Sequence, residues 1–135
     1  SLTTQQLKGL STEQISAMET EDLRALSTAQ IRALATDQLN SLTTEQFSAP
    51  TTIQVASLTN AQVAALETAD LQAMTTEQFK AFSSAQVAAM TTEQLAAIET
   101  ADLAVITTAA IRGITSENID AFTSDQIRAL GTAQV

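Results

Sequence analysis

The chain has 135 residues and a net charge of −9, from 15 acidic and 6 basic residues, and it contains no Cys, His, Trp or Tyr. Without Cys or His it lacks disulfides, thiolate metal ligands and the side chain that most often acts as a general base. The acidic balance argues against binding to the phosphates of nucleic acids or to anionic membranes, and no apolar run approaches the roughly 20 residues of a membrane span.

An eight-residue unit repeats from Thr3 onwards without insertion or deletion. Units begin at residue 3 and at every eighth residue to 123, so sixteen complete units are followed by a part-unit. Positions within a unit are numbered 1 to 8. Position 5 is apolar throughout, from Leu7 to Val135, and position 8 is apolar except at Pro50. A period this short and strict predicts a repeat solenoid.

The two apolar positions identify the secondary structure of the unit. In a strand, positions 5 and 8 would point to opposite faces. In one continuous helix, the apolar stripe would wind around the axis, because eight residues overshoot two turns by about 80°. In a short helix that restarts in every unit, the two positions lie on one face as i, i+3 neighbours. The sequence therefore predicts one helix of roughly six residues per unit.

The residues that start each helix are the hydroxyl-bearing ones. Position 2 is Thr, Ser or Asn in every unit, and these residues cap helix N-termini; we therefore favour position 2 as the N-cap. The alternative cap is position 1, which would form a capping box with Gln at position 4, as in Thr43-Thr44-Glu45-Gln46. Glu19, Glu67 and Glu99 at position 1 argue against this alternative, because Glu is not a favoured cap.

Position 4 is Gln or Asp in every unit except those with Ala110 and Asn118. In the predicted helix it flanks the core face, where its side chain can reach unpaired backbone groups of a neighbouring coil. Its near-constancy predicts a ladder of such hydrogen bonds.

Paired carboxylates occur in three units, because position 4 is Asp wherever position 1 is Glu. One hypothesis is a weak calcium site, since calcium takes hard oxygen ligands. We favour a structural role, in which Asp accepts backbone N–H groups at a helix start and Glu shields the turn or reaches a Thr hydroxyl. Two carboxylates are too few for a calcium shell unless coils pool them. The pairs are Glu19 with Asp22, Glu67 with Asp70, and Glu99 with Asp102.

Pro50 replaces a core residue, and since Pro restricts its own backbone and that of the residue before it, we expect a kink or a gap in the core there. All six cations lie at position 6, which is predicted to face solvent: Lys8, Arg24, Arg32, Lys80, Arg112 and Arg128.

The sequence gives weaker evidence for the number of units per superhelical turn than for the helix in each unit. Phe47 and Phe79 lie four units apart, and the pentapeptide Glu-Thr-Ala-Asp-Leu recurs at 67–71 and 99–103. This spacing favours four units per turn, whereas the six units that separate Glu19 from Glu67 leave three as the alternative. The predicted fold is thus an all-α solenoid of very short helices. Residues 1–135 form a single domain, which we expect to be a fragment of a longer array.

Runs such as 26–34 and 90–98 resemble the octapeptide repeats of very large secreted or surface proteins of Gram-negative bacteria, which are described as haemagglutinin-like or adhesin-like. The resemblance covers the whole chain and implies an extracellular or cell-surface location and a spacer or adhesive role.

The expected function is therefore that of a non-catalytic structural spacer or stalk, with no catalytic, cofactor-binding or metal-binding residue. The alternative is a binding module that presents positions 3 and 6 to a protein or glycan. A further possibility is end-to-end self-association, because a solenoid without polar capping units exposes its core at both ends.

Overall fold

The computed structural model describes residues 2–135, and this part of the chain folds into sixteen α-helices with no β-strand. Each complete unit holds one helix, as predicted. The helices are α1 Thr4–Lys8, α2 Thr12–Ser16, α3 Thr20–Ala25, α4 Thr28–Ala33, α5 Thr36–Asn40, α6 Thr44–Phe47, α7 Thr52–Ser57, α8 Asn60–Ala65, α9 Thr68–Ala73, α10 Thr76–Lys80, α11 Ser84–Ala89, α12 Thr92–Ala97, α13 Thr100–Val105, α14 Thr108–Ile111, α15 Ser116–Ile119 and α16 Ser124–Ala129.

The helices are capped by position 1, so the prediction of position 2 was wrong and the alternative was correct. The hydroxyl oxygen of Thr43 accepts the N–H of Gln46 at 3.2 Å, and Oε1 of Gln46 accepts the N–H of Thr43 at 2.8 Å. Both hydrogen bonds require the glutamine to be the third helical residue. Thr44, at position 2, is therefore the first residue of its helix.

Many of the helices end at position 8, which leaves the helical conformation. Leu66 is typical, with φ −62° and ψ 138°, and its N–H donates to the carbonyl of Val63 at 3.2 Å. The next residue, Glu67, is also extended, and the following helix then begins. Two extended residues thus form the corner between helices. No described residue has a positive φ, and the turn therefore needs no glycine.

Three units complete one superhelical turn. Helices in extensive contact are separated by three along the chain, from α1 against α4 to α13 against α16. The expectation of four per turn was wrong and the alternative of three is correct. A four-unit spacing joins units on different sides of this structure, so the spacing of Phe47 and Phe79 carries no information about the turn. The sixteen helices make about five turns.

The core lies along the axis and is formed by positions 5 and 8, as predicted. These positions face opposite ends of the solenoid. Leu7, at position 5, is fully buried in the first turn, whereas Ile127, at the same position, is 45% exposed in the last. Leu2, at position 8, is 42% exposed, whereas Leu34, at the same position four units later, is buried. Position 5 therefore packs against the following turn and position 8 against the preceding one.

Pro50 leaves the predicted gap in the core. Helix α6 is shortened to four residues, and an apolar cavity of about 30 Å³ lies between Pro50, Leu42, Phe47 and Met74. The stacking of turns nevertheless continues, because the carbonyl of Pro50 accepts a hydrogen bond from Nε2 of Gln78 at 2.9 Å.

Gly113 marks a place where two turns come unusually close. A Cβ atom at this residue would lie 2.0 Å from the carbonyl oxygen of Ser84. The same unit has Ala110 where most others have Gln, and Ala110 is buried. Glycine is therefore a strict requirement at position 7 of this unit.

Candidate functional site

The most regular polar feature is a ladder of buried glutamine side chains at position 4. Oε1 of Gln94 accepts the N–H of Thr91 at 2.8 Å, which caps its own helix. Nε2 of Gln94 donates to the carbonyls of Val63, at 2.8 Å, and Leu66, at 2.6 Å, in the preceding turn. One side chain thus closes a local cap and joins two turns, as the sequence predicted. The same arrangement is made by Gln38, Gln46, Gln54, Gln62, Gln78, Gln86, Gln94 and Gln126.

The first turn shows that the ladder depends on a preceding coil. Gln14 makes the same capping box as the later glutamines, but it is exposed. Gln30 reaches the carbonyl of Leu2. From Gln38 onwards, every glutamine at position 4 of a complete unit is buried. Burial of position 4 is therefore a consequence of stacking.

Asp70 and Asp102 take the place of glutamine in this ladder, and both are buried, with 6% and 4% of their surface exposed. Oδ2 of Asp70 accepts the N–H of Glu67 at 3.1 Å, as the structural interpretation predicted. Burial raises the pKa of Asp70, and the adjacent Glu67 carboxylate raises it further, while the hydrogen bond from the backbone lowers it. Burial, with a smaller contribution from Glu99, raises the pKa of Asp102 to about 6.

The three Glu–Asp pairs do not converge. Glu19 and Asp22 lie in the first turn, where both are exposed, whereas Asp70 and Asp102 are buried in later turns. Within residues 2–135, no group of three or more His, Cys, Asp or Glu side chains lies close enough to hold a metal ion. The calcium hypothesis required coils to pool their carboxylates, and titration with calcium remains its test.

Each helix column forms one face of the solenoid, and the three faces differ in charge. The mixed face consists of the units of α1, α4, α7, α10, α13 and α16. The neutral face consists of the units of α2, α5, α8, α11 and α14. The acidic face consists of the units of α3, α6, α9, α12 and α15. The acidic face holds nine of the fifteen acidic residues and one of the six basic residues, a net charge of −8. The mixed face holds four of each sign.

The cations of the mixed face are regularly spaced. Lys8, Arg32, Lys80 and Arg128 are separated by multiples of three units, which make one turn. All are exposed, as predicted for position 6. This spacing was the signal in the sequence for three units per turn, and it was missed.

Some of these cations pair with acidic residues on their own helix. Nζ of Lys80 lies 3.0 Å from Glu77, and the guanidinium of Arg128 lies 3.7 Å from Asp125. Both pairs are exposed, so each contributes little to stability.

The buried carboxyl groups of Asp70 and Asp102, whose pKa values are raised, lie between stacked turns. The prediction that the chain is not an enzyme stays a prediction. None of the helices formed by residues 2–135 has the length and apolar character needed to cross a bilayer.

Comparison with protein families identifies the repeat. The model of the family described as ALTTAQ repeat matches the chain three times, at residues 15–52, 63–97 and 95–132. No curated protein and no solved structure matches the chain.

Proposed function

Because the chain belongs to the ALTTAQ repeat family, we propose that it is a non-catalytic spacer or stalk, which holds another module away from the surface of a bacterium or within a secreted protein. The resemblance to the repeats of large bacterial surface proteins supports the extracellular location.

The glutamine ladder is the observation that carries the spacer proposal. Its hydrogen bonds join residues 28 to 31 apart, so each rung fastens one turn to the turn before it. Because every turn is held in the same way, adding repeats extends the stack without a new kind of contact. A stalk requires this property, since its length has to be set by the number of repeats.

The exposed positions also suit a spacer. In α8 and α11, positions 3 and 6 are all alanine: Ala61, Ala64, Ala85 and Ala88. These small side chains present no exposed aromatic group of the kind that anchors many interfaces.

Two measurements test the spacer proposal. Small-angle scattering should show a maximum dimension that grows linearly with the number of repeats. In the protein that carries the repeat, replacement of the array by an unrelated rod of equal length should preserve function. Loss of function with the matched rod, at equal expression and display, would contradict the proposal.

A second candidate function, a repeat-surface binding module, is favoured by the concentration of acidic residues on one face. A protein ligand with a basic surface would be attracted to that face, with an affinity that falls as salt increases. Protein and glycan arrays should be screened with the chain and with a variant carrying Glu45→Gln and Glu93→Gln. The matched control carries Glu13→Gln and Asp37→Asn on the neutral face. Binding lost only in the first variant would support this alternative over the spacer.

Self-association through the two ends of the chain is also proposed. The surface around Leu2 and the surface around Ile127 are the two halves of the contact that joins successive turns, and both residues are partly exposed. Sedimentation should show concentration-dependent oligomers, which Ile127→Glu should abolish. A monomer at all concentrations would refute this proposal.

A further inference from the structure

Each rung of the glutamine ladder depends on a hydrogen that the side chain can donate. On either side of Asp70 along the chain, Nε2 of Gln62 and Nε2 of Gln78 lie 2.8–3.0 Å from two backbone carbonyls of the preceding turn. The same register places the carbonyls of Leu39 and Leu42 opposite Asp70. At this rung, the amide donor is therefore replaced by a carboxyl group.

The second substitution is equivalent. Asp102 follows Gln94 by one unit, and the register of the ladder places it opposite the carbonyls of Leu71 and Met74. Its helix has no side-chain hydrogen bond at the cap residue Glu99. Asp102 is nevertheless as deeply buried as the glutamines of the ladder.

The protonation state of the carboxyl decides whether it can replace the amide. An ionised carboxylate only accepts hydrogen bonds, as does a backbone carbonyl, so the two groups facing each other cannot pair. A neutral carboxylic acid has one hydrogen to donate and retains acceptor capacity, as the glutamine amide does. We propose that Asp70 and Asp102 are protonation-dependent rungs, which fasten their turns to the preceding turns when neutral and release them when ionised.

The electrostatic surroundings support this proposal. Burial is the main cause that raises the pKa of Asp102 to about 6, and the neighbouring Glu99 carboxylate adds to it. Since this value lies above the ordinary 3.8, the folded chain binds the proton more tightly than the unfolded chain. The resulting stability is fully present below about pH 4 and is lost as the pH rises through about 6. The pKa of Asp70 is raised in the same direction.

The helices packed against the two rungs carry other charges, and these are exposed. Around Asp70, the charged groups are Glu67 at the cap, Glu45 on α6 and Glu93 on α12. Of these, Glu67 is the carboxylate whose charge raises the pKa of Asp70. Around Asp102, the charged groups are Glu99 at the cap, Glu77 and Lys80 on α10, and Asp125 and Arg128 on α16. Lys80 and Arg128 are already paired with acidic residues of their own helices, so no free cation offsets the burial of Asp102 among these groups.

Urea denaturation between pH 4.5 and pH 7.5 tests the proposal. The chain is compared with the double variant Asp70→Asn, Asp102→Asn, and with a control double variant Asp22→Asn, Asp120→Asn, which removes two exposed charges away from both rungs. The folding equilibrium constant of the unmodified chain should fall with rising pH. The pKa values of 3.8 and about 6 limit the fall due to Asp102 to roughly a hundredfold, and solvent contact reduces it to about tenfold. The fall should persist in the control and become much smaller in the asparagine variant at the two rungs.

A direct titration keeps the proposal testable if a variant does not fold. The ¹³C resonances of the two carboxyl groups in the unmodified chain should titrate above the ordinary pKa of 3.8, with that of Asp102 near 6. Midpoints near 4, or an equal pH dependence in all three proteins, would overturn the proposal. A flat pH profile, together with stabilisation by millimolar calcium that is absent in Asp70→Asn, Asp102→Asn, would also overturn the proposal. It would show that the two carboxyl groups bind a cation in their ionised form.

Discussion

Replacement of Gln94 by Glu separates the two functions of a ladder glutamine. The substitution keeps the size of the side chain and the oxygen that accepts the N–H of Thr91, so the helix cap is preserved. It exchanges the donor, which lies 2.8 Å from the carbonyl of Val63 and 2.6 Å from that of Leu66, for an acceptor. Two hydrogen bonds are lost, and a carboxylate is placed against two carbonyls.

The magnitude follows from these contacts. Two buried hydrogen bonds are worth about 1 kcal/mol each, and the polar groups left unpaired add about 1–3 kcal/mol. We expect Gln94→Glu to lower the free energy of unfolding at pH 7.5 by about 3–5 kcal/mol. A chain of 135 residues has roughly 7–20 kcal/mol in total, so the variant should remain folded.

Gln14 provides the matched control. It makes the same capping box, at 2.8 and 3.2 Å, but has no preceding turn to reach. Gln14→Glu should therefore change the stability by less than about 0.5 kcal/mol. Urea denaturation measures both variants, and hydrogen exchange of the Leu66 and Leu95 amides shows whether the loss is local. Equal effects at the two positions would refute the assignment of cross-turn stability to the ladder.

Three further substitutions test other parts of the structure by thermal denaturation. Gly113→Ala should destabilise the chain by about 1–3 kcal/mol, because the added Cβ would meet the backbone of the preceding turn. Gly9→Ala, at the same position of the repeat but without that contact, should be neutral or stabilising; equal effects of the two substitutions would contradict this. Thr91→Ala should cost about 1 kcal/mol because Thr91 caps α12, and Thr92→Ala should cost less; the reverse order would favour a cap at position 2. Pro50→Leu should raise stability by about 1 kcal/mol by filling the apolar cavity, and a loss would mean that the gap cannot accept a side chain.

The periodicity predicted the helices, the core and the ladder, because these depend on which side of a helix a residue occupies. Phe79 and Phe82 are i, i+3 neighbours and both are buried. Gln78 lies beside that apolar face and reaches the preceding turn. Geometry within one unit is sufficient for these inferences.

The cap and the size of the turn were predicted wrongly for separate reasons. Glu67 is a poor side-chain cap, and its presence at position 1 therefore favoured position 2 as the N-cap. In the structure the side chain of Glu67 accepts no capping hydrogen bond; instead, its backbone N–H donates to the Asp70 carboxylate. The turn depends on how two extended corner residues, such as Leu66 and Glu67, direct the next helix. No pattern of hydrophobicity within a unit reports that angle.

The raised pKa of Asp102 is a property of the candidate site that could not be predicted from the sequence. Position 4 is exposed in the first turn and buried in later turns, as Asp22 and Asp102 show. The same residue type in the same motif therefore has two environments. Only the presence of a coil beneath it distinguishes them, and the motif alone does not contain that information.

The three-unit turn constrains how such an array can change length. Deletion of one octapeptide would rotate all later helices by about 120° about the solenoid axis. Each column of helices before the deletion would then continue as a different column after it. The net charge of −8 would then be split between two sides of the rod, and a deletion between Ser84 and Gly113 would also move Gly113 away from the backbone that it packs against. Deletion of three consecutive octapeptides would leave all later columns in line. Related arrays should therefore differ in length by multiples of three octapeptides wherever the distribution of charge around the rod is under selection.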